Sequence, residues 1–218
     1  MAAGSEQKVL SYHDTLLRKS DLSLLDGAKW LNDKLIGFVF EYFEFDKFQS
    51  LTGKVAFVSP EVTQCIKLSR DEEVAVFLEP LDLSSKDFVF LAVNDHHMET
   101  TAGGSHWSLL IYDRAGNKFS HYDSSGSSNQ GAAMILCCKL HPFLKVSGEV
   151  TLIAEECPQQ ENGHDCGLYV ICVAEHLCRQ MIDGRAEALR QKVTGKVVGD
   201  KRKELKSLIL GLARQSSR

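Results

Sequence analysis

Apolar positions change their rhythm twice along the chain, and these changes divide it into predicted helical and extended stretches. In SDLSLLDGAKWLNDKLIGFVFEYFEF, Leu31, Leu35, Ile36, Val39, Phe40 and Phe43 recur at helical spacing, which predicts a long, largely buried helix. Asn32 stands where a side-chain oxygen can cap its first turn. VAFV is followed by SPEVTQCIK, a serine cap with proline at the first helical position, and DEEVAVFLEPL reads as another short helix. Then the runs shorten. FVFLAV, HWSLLIY and KFSHYD are apolar or alternating segments between polar turns, hence neighbouring strands. NQGAAMILCCKLHPFL predicts a helix, EVTLIAEE a strand, and LYVICVAEHLC a mostly buried helix carrying Leu168, Ile171, Cys172, Ala174, Glu175 and Cys178. A mid-chain sheet with helices from both ends packed on it is an α+β arrangement. MAAGSEQK lacks periodicity and predicts a frayed tail over residues 1–8, ahead of a single domain over 9–218.

Composition narrows the class. With 218 residues, 44% hydrophobic and 25% charged, one core can bury most of the apolar surface. A formal charge of −4 gives no broad positive field for phosphate backbones, so nucleic acid is not an expected partner, although KRKELKSLILGLAR is locally basic. There is no apolar run long enough to span a bilayer and no signal-peptide pattern, so no membrane partner is expected. Seven cysteines is an odd number, which fits reduced thiols in the cytoplasm or nucleus.

One thiol stands apart. In QQENGHDCGLYVIC, Cys166 sits between a polar turn and the apolar helix, with Asp165 at the N-cap position and Cys166 as the first helical residue. Free backbone N–H groups and the positive end of the helix dipole favour a thiolate there, and Gly167 is expected to leave the approach to the sulfur open. A free cysteine beside an apolar run is otherwise a small buried hydrophobe, so the chemistry needs partners. A thiolate nucleophile requires an imidazole to share its proton, and the imidazole a carboxylate to orient it. In GGSHWSLLIYDRAGNKFSHYDSS two strands flank the turn DRAG. Pairing Tyr112 with Asn117 sets His106 opposite Asp123, close enough for an imidazole–carboxylate hydrogen bond.

The other histidines fit blander roles. His121 shares the strand face of Asp123 but lies deeper in the hairpin, where a structural histidine is expected. His164 is too close along the turn to point back at the sulfur, and His96 and His97 belong to the long polar loop NDHHMETTAGGS, expected to be solvent-exposed or part of a mobile flap. For the developing oxyanion, Gln160 is the side-chain donor expected beside the Cys166 N–H; chemistry alone leaves Gln159 open. No CxxC pair exists, and Cys172 with His176 would need two further ligands, so no metal is expected.

The ordered set His106–Trp107, Asp123, Gln160 and Cys166–Gly167 resembles the Ulp/sentrin-specific cysteine peptidases, which process ubiquitin-like modifiers. Papain-type enzymes carry the cysteine first and the histidine far downstream, the reverse of the order here. The likeness covers nearly the whole chain. In VLSYHDTLLRKSDLSLLDGAKWLNDKLIGFVFEYF, FVSPEVTQCIK, VAVFLEPLDL, AGGSHWSLLIY, HYDS and DCGLYVIC it is greatest to the members that act on a Nedd-type modifier. The resemblance implies a papain-like α+β fold of the Ulp type and a monomeric thiol protease without a cofactor. That enzyme cleaves after a C-terminal Gly-Gly, maturing the modifier and removing it from lysines of conjugates such as cullins. It also implies that Trp30 and Trp107 close over the glycines as a narrow tunnel and that Asp33 holds the modifier's extended tail. His164 stands where the family carries an uncharged aromatic. The competing readings are a desumoylating member of the family, a non-catalytic binder of ubiquitin-like proteins, and an acyltransferase on the same scaffold.

Overall fold

The computed structural model describes residues 6–98, 101, 103–149, 151–185 and 187–216. The chain opens with a hairpin, β1 (Lys8–Tyr12) and β2 (Thr15–Arg18), followed by α1 (Lys19–Ser23), α2 (Asp33–Tyr42), β3 (Val55–Val58), α3 (Pro60–Leu68) and α4 (Ala75–Leu78). Strands β4 (Phe88–Asn94), β5 (Trp107–Asp113) and β6 (Lys118–Tyr122) come next. Then follow α5 (Gln130–Leu144), β7 (Thr151–Ala154), α6 (Cys166–Asp183), α7 (Leu189–Lys192) and α8 (Gly195–Ser216). Strands 3 to 7 form one sheet in chain order, with β4, β5 and β6 antiparallel and β3 and β7 added parallel at the two edges.

The sheet has a core on each face, which explains why β4 reads as an unbroken apolar run rather than an alternation. Phe90, Ala92, Leu109 and Ile111 face one cluster, built with α2, α6 and α8; Val89, Leu91, Val93, Leu110, Tyr112 and Phe119 face another, built with α3, α4 and α5. Local signals position the helices as expected. Asn32 Oδ1 accepts the Leu35 N–H at 3.1 Å, and Ser59 Oγ accepts the Val62 N–H at 3.3 Å with Pro60 in the first turn. The helix after Asn32 is shorter than its apolar pattern, because it widens into a loose turn over Phe43–Lys47. DEEVAVFLEPL forms one α-turn, Ala75–Leu78, between tighter turns, with Pro80 supplying no N–H to continue it.

Two expectations need correction. Residues 6–8 are not a frayed tail: Lys8 opens β1, the Gln7 carbonyl accepts the Lys19 N–H at 2.9 Å, and the Glu6 carbonyl accepts from Arg18 at 2.6 Å. Residues 1–5 of that tail, like Val150 at the head of the EVTLIAEE strand, lie outside the described residues. The β5–β6 register is also shifted. Asp113 pairs with Lys118 and Tyr112 with Phe119, not with Asn117. Asn117 takes a left-handed conformation (φ 44°) and closes the loop by donating its N–H to the Arg114 carbonyl, which removes it from the ladder. Arg114 then anchors the turn on the Lys86, Leu83 and Leu144 carbonyls.

Helix α8 packs over α6 through Val198, Leu205 and Ile209 and the buried Lys201–Glu175 ion pair at 2.8 Å, and its Arg202 ties down the segments on either side of the nucleophile. The Arg202 guanidinium donates to the Leu24 and Lys29 carbonyls at 2.7 and 2.9 Å and to Asp165 Oδ1 at 2.7 Å. Replacing it would strand a buried carboxylate and two carbonyls. Arg202→Ala is expected to cost roughly 3–5 kcal/mol of unfolding free energy, read from the denaturant midpoint at unchanged slope.

Candidate active site

The histidine and carboxylate meet although the ladder between them is offset from the one expected. In the observed register Asp123 lies beyond the end of β6 and His106 just before β5, so they are diagonal rather than opposite neighbours. A slip of two residues conserves the face on which every side chain lies. His106 Nε2 donates to Asp123 Oδ1 at 2.6 Å, and both residues are buried. The carboxylate is filled from the backbone as well: Oδ1 accepts the Ser125 N–H at 2.8 Å and Oδ2 the Asn129 N–H at 2.9 Å. Burial pushes the Asp123 carboxyl up, but these hydrogen bonds outweigh it and hold it below the usual range.

Cys166 reaches the dyad from the other face of the sheet as the first residue of α6. Its thiol is within hydrogen-bond reach of His106, whose Nε2 is already committed to Asp123, so Nδ1 is the nitrogen left for the sulfur. Burial pulls the His106 imidazole down, but the hydrogen bonds to Asp123 and Cys166, with their charges, hold it up at about 9. The arrangement can therefore keep a proton on the imidazole beside the sulfur.

The neighbours of Cys166 differ from their expected roles. Asp165 occupies the N-cap position, yet its side chain makes no cap hydrogen bond. Its carboxylate accepts instead from Arg202 and from Asn162 Nδ2, which neutralises a negative charge beside the sulfur. Gly167 is not an opening for approach. A Cβ there would meet Leu31 Cβ at 3.0 Å, so the missing side chain lets the segment carrying Trp30 lie directly against α6.

Gln160 and Gln159 are distinguished by their partners. Both amide protons of Gln159 are used, on the Asp123 and Cys157 carbonyls at 3.0 and 2.9 Å. Gln160 Nε2 donates to the Asn162 carbonyl at 2.7 Å, and its second N–H has no partner among the described residues. Only Gln160 retains a free donor. Asn162 Oδ1 accepts the N–H groups of His164 and Asp165, each at 3.0 Å, and so folds the turn that leads into Cys166.

Beside this centre runs a groove of about 960 Å³, lined by Trp30, Asp33, Glu61, Gln64, Met98 and Trp107 among others. The Trp107 indole donates to the Leu31 carbonyl at 3.0 Å, and the Trp30 indole donates to the Gly163 carbonyl. Trp30 is 49% exposed, which is not the environment of a core aromatic. Asp33 begins α2, half-buried on the groove wall. One side of the groove comes from the loop after β4, of which residues 99, 100 and 102 lie outside the described set. Asp95 pins its base, accepting from Ser105 N–H, Ser105 Oγ and His106 N–H at 2.7, 2.6 and 3.1 Å. His96 is half-buried rather than exposed, with a ring nitrogen 2.6 Å from the Thr101 carbonyl; His97 is exposed. His121 is structural: buried, held below the ordinary imidazole range by that burial, and bonded to Ser108 Oγ at 2.9 Å.

Sequence reasoning missed Asn129. Besides its backbone contact with Asp123, its buried amide donates to the Val93 and His106 carbonyls and to Ser108 Oγ. Nothing local distinguishes it from another residue opening a helix.

Residues 29–211 match the family described as the Ulp1 protease family, C-terminal catalytic domain. The chain belongs to the Ulp1 protease family. This Ulp1-family cysteine peptidase is 49% identical over 209 residues to Sentrin-specific protease 8 of Homo sapiens, covering 95% of this chain and 98% of that one. NEDD8-specific protease 1 of Arabidopsis thaliana is 35% identical over 181 residues, covering 82% of this chain and 79% of the relative. Among solved structures, the C-terminal Ulp1 protease domain in complex with SMT3, the yeast ortholog of SUMO, superposes with a TM-score of 0.72 at 22% identity. That likeness covers 97% of this chain and 90% of the other and is one of fold. The papain-like α+β architecture expected of a Ulp-type peptidase is the one found.

Asp123 holds the His106 proton, so its loss has a defined pH signature. In Asp123→Asn the basic limb of kcat/KM should move from about 9 toward the ordinary imidazole value of 6.5, and kcat should fall by roughly 10²–10⁴-fold. The sign for stability follows. His106 has a raised pKa in the fold, so its stabilisation is complete below pH 6.5 and is lost as pH rises through about 9. Denaturant midpoints across that window should fall in the parent protein and flatten in the variant.

Proposed function

We propose that this peptidase cleaves after the C-terminal Gly-Gly of a Nedd-type ubiquitin-like modifier, maturing its precursor and releasing it from lysine side chains of conjugates such as cullins. The observation that carries the reading is the His106 imidazole shared between Asp123 and the Cys166 thiol at the start of α6, beside a groove walled by two tryptophans. A relative whose name specifies NEDD8, at 35% identity, favours the Nedd-type modifier. Seven free thiols fit a reducing compartment, the cytoplasm or nucleus, where the enzyme would act as a monomer.

In this mechanism the Cys166 thiolate attacks the carbonyl carbon of the terminal glycine, forming the C–S bond. Negative charge gathers on the carbonyl oxygen, where the Cys166 N–H and Gln160 Nε2–H donate. The C–N bond then breaks as the His106 imidazolium gives its proton to the leaving amine. Water enters, His106 takes its proton, the oxygen bonds the acyl carbon and the thiolate departs. Asp123 keeps Nε2 occupied so that Nδ1 handles each proton. Trp30 and Trp107 exclude side chains from the slot over the scissile bond, which restricts it to glycines, and Asp33 binds the extended tail upstream.

The reading is tested with Gly-Gly electrophilic probes and with precursors of Nedd-type, ubiquitin and SUMO-type modifiers compared side by side. The Nedd-type probe should form a covalent adduct that disappears in Cys166→Ala, and the Nedd-type precursor should be cleaved fastest. An adduct that survives in Cys166→Ala would overturn the nucleophile; faster cleavage of a SUMO-type precursor would overturn the modifier.

A further inference from the structure

Two turns that are distant in sequence are stitched together beside the nucleophile. From the turn after β6, the Ser124 hydroxyl donates to Gln160 Oε1 at 2.9 Å, while the Ser124 carbonyl accepts the Gln160 N–H at 2.8 Å. In the reverse direction Gln159 Nε2 donates to the Asp123 carbonyl at 3.0 Å and Gln159 Oε1 accepts the Gly126 N–H at 2.7 Å. Ser124 is buried. Its hydroxyl touches none of the reacting atoms, yet it engages one end of the Gln160 amide, and the Asn162 carbonyl engages the other.

A glutamine amide has two ends of similar shape and opposite function: only Nε2–H can donate to an oxyanion, and Oε1 in its place would repel one. The Asn162 carbonyl can only accept, so it selects Nε2, and the Ser124 hydroxyl donates to Oε1 from the other side. The amide is thereby fixed in both position and sense, with one N–H uncommitted. Because Ser124 follows Asp123 directly, the unit that orients the imidazole also orients the amide. Pre-set donors of this kind stabilise a transition state without reorganising when charge appears.

We propose that Ser124 is a positioning residue for the oxyanion donor, holding Gln160 Nε2–H toward the developing charge, with Gln159 stapling the same turn to Asp123. The proposal rests on the reading of Gln160 as that donor. Removing the hydroxyl frees the amide to rotate and weakens binding of the transition state while leaving the groove that binds the modifier unchanged.

The test is a cycle of Ser124→Ala, Gln160→Ala and the double variant in the full chain. It uses whichever modifier precursor the parent cleaves fastest and the same modifier carrying a C-terminal aldehyde. Cys166 adds to that aldehyde through a C–S bond, leaving its oxygen in the position of the oxyanion. Ser124→Ala should lower kcat about tenfold at unchanged KM and weaken aldehyde inhibition by a similar factor, short of the roughly 10²–10³-fold expected when a donor is lost outright. Both limbs of the pH profile should stay in place, and the double variant should be no slower than Gln160→Ala. Ser124→Thr, which keeps the hydroxyl, should retain most of kcat. A second full loss on adding Ser124→Ala to Gln160→Ala, or a shifted basic limb, would show that Ser124 acts through Asp123 and overturn the proposal. Parent-like kcat in Ser124→Ala with a slow Gln160→Ala would overturn it alone; parent-like kcat in Gln160→Ala would overturn the oxyanion reading beneath it.

Discussion

The His106 imidazole has two nitrogens and two partners, and the arrangement of the molecule follows from serving both at once. Nε2 is committed to Asp123 and Nδ1 is left for Cys166, so the ring must be held by one face of a sheet while a helix arrives from the other. A displacement of about 1 Å in either partner is enough to cost catalysis heavily. This accounts for how much buried polar machinery surrounds three side chains. Asp123 takes two backbone N–H groups in addition to the imidazole, Asn129 holds the His106 carbonyl, and Asp95 holds the His106 N–H.

The nucleophile's side is arranged with different means. Cys166 gains a helix N-terminus, but that position also brings the negative charge of Asp165 beside the sulfur. Arg202, from α8, removes the conflict and holds the Lys29 carbonyl just before Trp30. Gly167 then permits Leu31 to lie against α6. Electrostatics at the sulfur and placement of the groove wall are thus settled by contacts within a few residues of one another.

Features fixed by neighbours in the chain were legible from sequence. The Asn32 and Ser59 caps depend on contacts three residues away, and the three central strands announce themselves by composition. The dyad was legible through a hairpin argument whose register was wrong by two residues and whose face assignment was therefore right. What escaped depends on distant partners. Arg202 bonds Asp165 from 37 residues away, so local pattern assigned that carboxylate to a helix cap. Choosing between Gln159 and Gln160 required knowing which carbonyls each amide reaches. The β1–β2 hairpin was missed because its turn, His13–Asp14, lacks glycine and places His13 at positive φ.

The short turn between β5 and β6 bears on how the centre is assembled. His106 and Asp123 flank a hairpin closed by four residues, whereas Cys166 lies more than forty residues beyond Asp123 and must be returned to the sheet by an intervening helix and edge strand. Bringing the base and its carboxylate together therefore sacrifices little chain freedom, and recruiting the thiol sacrifices much more. In chain order the base and its carboxylate precede their nucleophile, so proteolytic competence waits on the segment that carries Cys166 back to them.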